Sequence, residues 1–215
     1  PAAASRRFPS YLAPAMTQLP ELPLTLSRQE IRKMIRQRRR ALTPEQQQEM
    51  GQQAATRMMT YPPVVMAHTV AVFLSFDGEL DTQPLIEQLW RAGKRVYLPV
   101  LHPFSAGNLL FLNYHPQSEL VMNRLKIHEP KLDVRDVLPL SRLDVLITPL
   151  VAFDEYGQRL GMGGGFYDRT LQNWQHYKTQ PVGYAHDCQL VEKLPVEEWD
   201  IPLPAVVTPS KVWEW

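Results

Sequence analysis

The stretch LDVLITPLV, residues 143–151, is apolar at every position except Asp144 and Thr148 and is rich in β-branched side chains. A strand apolar on both faces must be covered on both, and strands inside a parallel sheet meet that condition. Shorter runs of the same kind recur: TVAVFLS (69–75), RVYLPV (95–100), NLLFLNY (108–114), PVGYA (181–185) and PAVVTP (204–209). Helical segments lie between and before them. SRQE opens one with Ser27 as cap and Glu30 completing a capping box, and TPEQ opens another at Thr43 with Pro44 in its first turn. DTQPLIEQLWRAG (81–93) reads as a helix from an Asp/Thr cap to a terminal Gly93, and FYDRTLQNWQH predicts one over 166–176. Alternating strands and helices predict an α/β fold with a mainly parallel sheet, Rossmann-like in its layering. The expected organisation is a loosely packed, proline-rich leader over 1–26 and a single domain over 27–215.

In such sheets ligands bind beyond the C-terminal ends of the strands. The segment RLGMGGGFYDR (159–169) follows the 143–151 strand and leads into a helix. Clustered glycines leave backbone N–H groups open to an anion, and Arg159 adds positive charge, so the segment reads as a phosphate cradle. It lacks the G-K-[ST] of a Walker A loop, and Phe166 stands where a dinucleotide fingerprint needs its third glycine. Asp168 beside a phosphate would repel it unless a cation lay between, which points to Mg²⁺; dipole stabilisation of a helix start is the other reading. Arg28, Arg32 and Arg36 share one face of the first helix, where an anion, a solvated face or RNA would relieve their repulsion. Glu79, in FLSFDGELDT (73–82), lies either in a solvated loop before the next helix or where a carboxylate can grip the N–H edge of a heterocycle through paired hydrogen bonds.

Composition removes several alternatives. Lys and Arg number 23 against 22 Asp and Glu, so no global field favours nucleic acid or an acidic membrane. No apolar run reaches the length of a membrane helix. A lone Cys188 allows no internal disulfide and fits a reducing cytoplasm. The six histidines show no paired metal-ligand spacing.

Taken in order, RQEIRKMIRQRRRAL, FLSFDGELDT with AGKRVYLP, DEYGQRLGMGGGFYDR and LPVEEWDIPLPAVVTP resemble the 5-formyltetrahydrofolate cyclo-ligase family, over roughly residues 28 to 209. The resemblance implies a three-layer α/β/α sandwich. It implies ATP-dependent closure of 5-formyltetrahydrofolate to 5,10-methenyltetrahydrofolate through a phosphorylated formyl group. It also implies an ATP site at Arg28, Gln29, Glu30, Ile31 and Arg32 and at Arg159, Leu160, Gly161, Met162, Gly163, Gly164, Gly165, Phe166 and Tyr167. Leu74 and Glu79 match folate-contacting positions, and Asp168 and Asp200 match Mg²⁺ ligands. No side-chain nucleophile is implied, and the expected partners are small molecules only, with a monomer favoured. If Arg28 and Arg32 bind phosphate, the working chain begins at or before Met16 rather than at Met34. Arg28 stands where lysine is frequent, Pro204 where aspartate is, and LKIHEP (125–130) where G-I-P-E-P is usual. A different ATP-dependent kinase or ligase, and a non-catalytic RNA binder, are the competing functions.

Overall fold

A computed structural model describes residues 26–215. The expected leader lies outside the described residues except for Leu26. That side chain packs on the cluster containing Ile31, as in a hydrophobic staple on the helix capped by Ser27.

The helices are α1 (Arg28–Arg40), α2 (Pro44–Thr60), α3 (Pro62–Met66), α4 (Gln83–Arg91) and α5 (Phe166–Leu171). The strands are β1 (Thr69–Ala71), β2 (Arg95–Leu101), β3 (Leu109–Tyr114), β4 (Leu120–Met122), β5 (His128–Pro130), β6 (Val137–Leu138) and β7 (Val145–Thr148). They continue with β8 (Ala152–Asp154), β9 (Arg159–Leu160), β10 (Gln180–Tyr184), β11 (Leu190–Val191), β12 (Ala205–Val207) and β13 (Val212–Glu214). Eight of them form the main sheet in the order β13-β12-β10-β7-β1-β2-β3-β6. The run from β12 to β2 is parallel, whereas β13, β3 and β6 are antiparallel additions at the two edges.

The central strands bury both faces, as their composition requires. Val70, Val145, Ile147 and Val207 join the core under α2 and α4, while Ala71, Leu146 and Val206 point into the opposite core. Each fully buried Val, Leu or Ile stabilises the fold by about 1.5–3 kcal/mol. The second face is covered more thinly, by Leu171 of α5, by Trp174 and Leu140 on short 3-10 turns, and by Phe153. A three-stranded sheet, β11-β8-β9, packs against Ile31 and Ile35 of α1 and carries the chain from β7 to the glycine segment.

Both expected capping boxes are present, Ser27 with Glu30 and Thr43 with Gln46. Gly93 closes α4 in a Schellman motif, its N–H donating to Trp90 and that of Lys94 to Leu89. Two boundaries differ from expectation. The helix read over 166–176 stops at Leu171, because Gln172 leaves helical geometry and Asn173 is left-handed at φ 61°. The helix read from Asp81 starts at Gln83, and Thr82 turns its hydroxyl inward to the Phe73 carbonyl at 2.6 Å, leaving Asp81 to accept from the Gln83 N–H. The two- and three-residue strands β4–β6, β8, β9, β11 and β13 were too short for alternation to reveal.

Candidate functional site

A cavity of about 590 Å³ opens beyond the C-terminal ends of β1, β2 and β7, through Leu74, Leu101 and Leu150. That is where a parallel sheet is expected to receive a ligand. The cavity also draws together segments that are far apart in sequence: Arg28, Gln29 and Arg32 of α1, Glu79, and Gly161 to Asp168.

The glycine loop forms one wall. Gly163 (φ 110°) and Gly165 (φ 70°) are in the left-handed region, which only glycine enters without strain. Among the described residues, the amides of Met162, Gly163, Gly164 and Gly165 donate to no protein acceptor. Such a run of free N–H groups makes an anion-binding concavity. The loop leads into α5, and a helix dipole adds to such a site in proportion to the helix behind it. At six residues, α5 is too short to contribute much, so the loop amides and the arginines carry the positive potential. Arg32, 7% exposed, donates from Nε to the Gly161 carbonyl at 2.7 Å. Burial lowers its pKa, yet a guanidinium stays charged.

Arg159 is the least exposed of the arginines that line the cavity. Its Nε donates to the Pro149 carbonyl at 2.9 Å, its Nη1 lies 3.7 Å from Asp168 Oδ1, and its guanidinium stands 5.5 Å from the Tyr167 ring centroid. Burial pulls its pKa down while Asp168 holds it up. Asp168 Oδ1 accepts from the Ile201 N–H at 3.2 Å, and no described residue donates to its other oxygen. Tyr167 lines the cavity; burial pushes its pKa up, so it stays protonated, and its hydroxyl is buried without a protein partner.

The segment 28–32 divides by helix geometry. Arg28, Gln29 and Arg32 line the cavity, Glu30 is used in the capping box, and Ile31 is fully buried in the core. Leu160 is likewise buried away from the cavity. Arg28 and Asp200 meet each other: Nη1 and Nη2 contact Oδ2 and Oδ1 at 2.6 and 3.0 Å, and Asp200 also accepts from the Glu197 N–H. The rest of the basic stripe converges on one carboxylate, with Arg36 Nε and Arg39 Nη2 at 3.6 and 3.8 Å from Asp77 and Arg40 hydrogen-bonded to it. Arg32 and Arg39 are buried while Arg40 stays exposed, so part of this basic helix is built into the protein and part faces solvent.

Leu74 and Glu79 both face the cavity. Glu79 accepts from the Phe76 N–H at 3.1 Å, and burial among apolar walls raises its pKa to about 7, against the pull of Arg39 and Arg159. Its loop is held from behind by His186, whose Nε2 meets the Gly78 carbonyl at 3.1 Å. A carbonyl only accepts, so Nε2 carries the proton. Burial lowers the pKa of His186 to about 4 and keeps it neutral. No sequence pattern marked His186. The Glu79 shift predicts a pH effect. A carboxyl that binds its proton more tightly when folded loses stability as pH rises from about 4.5 to 7. Glu79→Gln should therefore be more stable than the parent at pH 8 by about 1–2 kcal/mol and level with it near pH 4.5. Urea unfolding at the two pH values measures this, and equal differences at both would remove the assignment.

The model of the 5-formyltetrahydrofolate cyclo-ligase family matches residues 25–209. The chain belongs to the 5-formyltetrahydrofolate cyclo-ligase family. It is 53% identical over 179 residues to the 5-formyltetrahydrofolate cyclo-ligase of Haemophilus influenzae, covering 83% of this chain and 96% of that protein. The corresponding protein of Mycolicibacterium smegmatis is 31% identical over 188 residues, covering 86% and 95%. The solved structure of Aquifex aeolicus 5,10-methenyltetrahydrofolate synthetase superposes with a TM-score of 0.75 at 28% identity, covering 88% of this chain and 93% of that one. This chain is thus an enzyme of the cyclo-ligase family with that family's fold.

The β4–β5 hairpin makes another wall of the cavity, through Asn123, Leu125, Ile127, His128 and Glu129. Glu129 Oε2 ties it to β2 by accepting from the Leu101 N–H and from Asn123 Nδ2, both at 3.1 Å. Sequence reading missed Asn123 and Glu129, which sit among residues of LKIHEP and its turn. Lys126 in the turn of this hairpin is left-handed at φ 60°. Lys126→Gly removes that strain and gives back some unfolded-chain entropy, for a net gain of about 0.5–1 kcal/mol. Denaturant unfolding would show it, and a destabilised variant would mean that the lysine side chain contributes more than its backbone costs.

Proposed function

We propose that this enzyme closes 5-formyltetrahydrofolate to 5,10-methenyltetrahydrofolate, converting ATP to ADP and phosphate, and that it works as a cytoplasmic monomer. The observation that carries the ATP half is the glycine loop, whose unsatisfied amides share one cavity with Arg32, Arg159 and Asp168. The same cavity holds Leu74 and Glu79 on apolar walls, a surface suited to a flat heterocycle with one N–H edge.

Phosphate oxygens would lie against the loop amides, with Arg159 and Arg32 offsetting charge that develops on the transferring group. The formyl oxygen attacks the γ-phosphorus and ADP leaves. N10 then attacks the activated formyl carbon, gives up its proton, and phosphate departs as the ring closes. Holding both reactants in one cavity makes the first step effectively intramolecular. The free oxygen of Asp168 suits Mg²⁺, which is usually held by one or two carboxylates with phosphate and water completing its shell. Asp200 is the second carboxylate expected to hold Mg²⁺, and here it is engaged by Arg28. The metal would supply charge neutralisation between phosphate and carboxylate.

Among the described residues no helix is long and apolar enough to cross a membrane. Burial pushes the Cys188 thiol up to about 11, so it is an inert residue suited to a reducing compartment. The deciding experiment incubates the protein with Mg-ATP and 5-formyltetrahydrofolate and follows the absorbance of the methenyl product. Folded protein that forms none would defeat the proposal. ATP turnover with a different acceptor would instead favour another ligase or kinase.

A further inference from the structure

Arg169 has no place in the scheme above, although the fold makes room for it at two separate points. Its Nε donates to the Gly107 carbonyl at 2.6 Å and its Nη2 donates to the Gly164 carbonyl. The guanidinium stands 5.4 Å from the Phe166 ring centroid. A Cβ added at Gly107 would fall 2.7 Å from its Cζ, and one added at Gly165 would fall 2.9 Å from its Nη1. Gly107 and Gly165 also have φ of 83° and 70°. The guanidinium therefore fills a slot between two glycines, one in the loop joining β2 to β3 and one in the phosphate loop.

We propose that Arg169 is a positioning residue that clips the glycine loop to the β2–β3 loop and thereby sets affinity for nucleotide phosphates. In a trans peptide the C=O and N–H point in opposite directions. Holding the Gly164 carbonyl on Arg169 thus aims the Gly165 N–H away from it, and that amide has no protein acceptor. The far anchor is itself ordered. His102 Nδ1 accepts from the Phe104 and Ser105 N–H groups, and the His102 N–H donates to the Asn108 carbonyl. The clip also joins the two sides of the cavity, because Leu101 and Leu109 flank that loop and line the opposite wall. A lysine would keep the charge but has no planar fork to span two carbonyls.

The effect on affinity rests on the ATP reading given above, so the test has a second readout. Arg169→Ala should raise the Kd and KM for Mg-ATP about tenfold, the scale of losing a charged hydrogen bond. The kcat and the KM for the folate should stay within about twofold, and Arg169→Lys should recover only part of the loss. Backbone order parameters from ¹⁵N relaxation should fall together in residues 104–108 and 162–165, loops that share no other hydrogen bond among the described residues. Gly107→Ala, which evicts the guanidinium from the other side, should weaken ATP binding in the parent and add nothing in the Arg169→Ala background. Unchanged ATP affinity in a folded Arg169→Ala variant, or order parameters that fall in one segment alone, overturns the clip. Parent protein that binds no ATP at all overturns the nucleotide reading and with it the affinity claim, while a paired fall in order parameters would still report the clip.

Discussion

Replacing Asp168 by asparagine should lower turnover by about 100–1000-fold, the usual scale for losing one preorganised charge at a reacting phosphate. The protein should remain folded. An asparagine oxygen can accept from the Ile201 N–H as Asp168 Oδ1 does, so the backbone contact survives. What is lost is the negative charge 3.7 Å from Arg159 and the free carboxylate oxygen in the cavity. Leaving Arg159 buried with less compensation costs about 1–2 kcal/mol of stability, well short of unfolding an ordinary domain. Turnover across a Mg²⁺ titration, with melting measured alongside, separates the two effects. Undiminished turnover at ordinary Mg²⁺ would exclude a metal or electrostatic role for this residue.

The second large effect is expected at Gly163. A valine there must hold φ near 110°, which β-branched residues avoid, and its Cβ would lie 3.7 Å from Arg32 Cζ. The loop would relax out of its cradle, releasing the Gly161 carbonyl from Arg32. ATP affinity should fall by at least about 100-fold while global stability changes by only about 1–2 kcal/mol, since the strain sits in an exposed loop. Gly164 makes the contrast. Its φ is ordinary, and an added Cβ would first meet the ring of its own neighbour Phe166 at 2.8 Å, a side chain able to turn. Alanine at Gly164 should therefore be milder than alanine at Gly163. Calorimetric titration of both variants with nucleotide tests the ranking, and the reverse order would mean that space rather than backbone geometry selects these glycines.

Much of the site was readable because its signals are local. Ser27 with Glu30 announced α1, the run 143–151 announced β7, and the glycines after it announced a backbone surface. The family pattern added Leu74 and reinforced Glu79, both of which face the cavity. What failed to show was decided by contacts across the chain. Arg28 and Asp200, read separately as a phosphate and a metal residue, are paired across 172 positions. Arg28, Arg32 and Arg36 looked like a repelling stripe, yet Arg28 pairs with Asp200, Arg32 reaches the Gly161 carbonyl and Arg36 lies beside Asp77. Glu30, Ile31 and Leu160 belonged to the expected nucleotide segments, yet a helix turn and a buried strand point them into caps and core.

The sequence by itself determined the buried strands of the parallel sheet, the capped starts of α1 and α2, and that a glycine-rich backbone follows the most apolar strand. Those properties depend on side-chain polarity at short period and on caps a few residues away. Only the tertiary structure decided which charges face the cavity and which satisfy one another. It also decided that His186 supports the Glu79 loop and that Arg169 sits between Gly107 and Gly164. The reason is physical: a charge or hydrogen-bond donor acts over a few ångströms of space, and the folded chain alone sets which distant residues come within that reach.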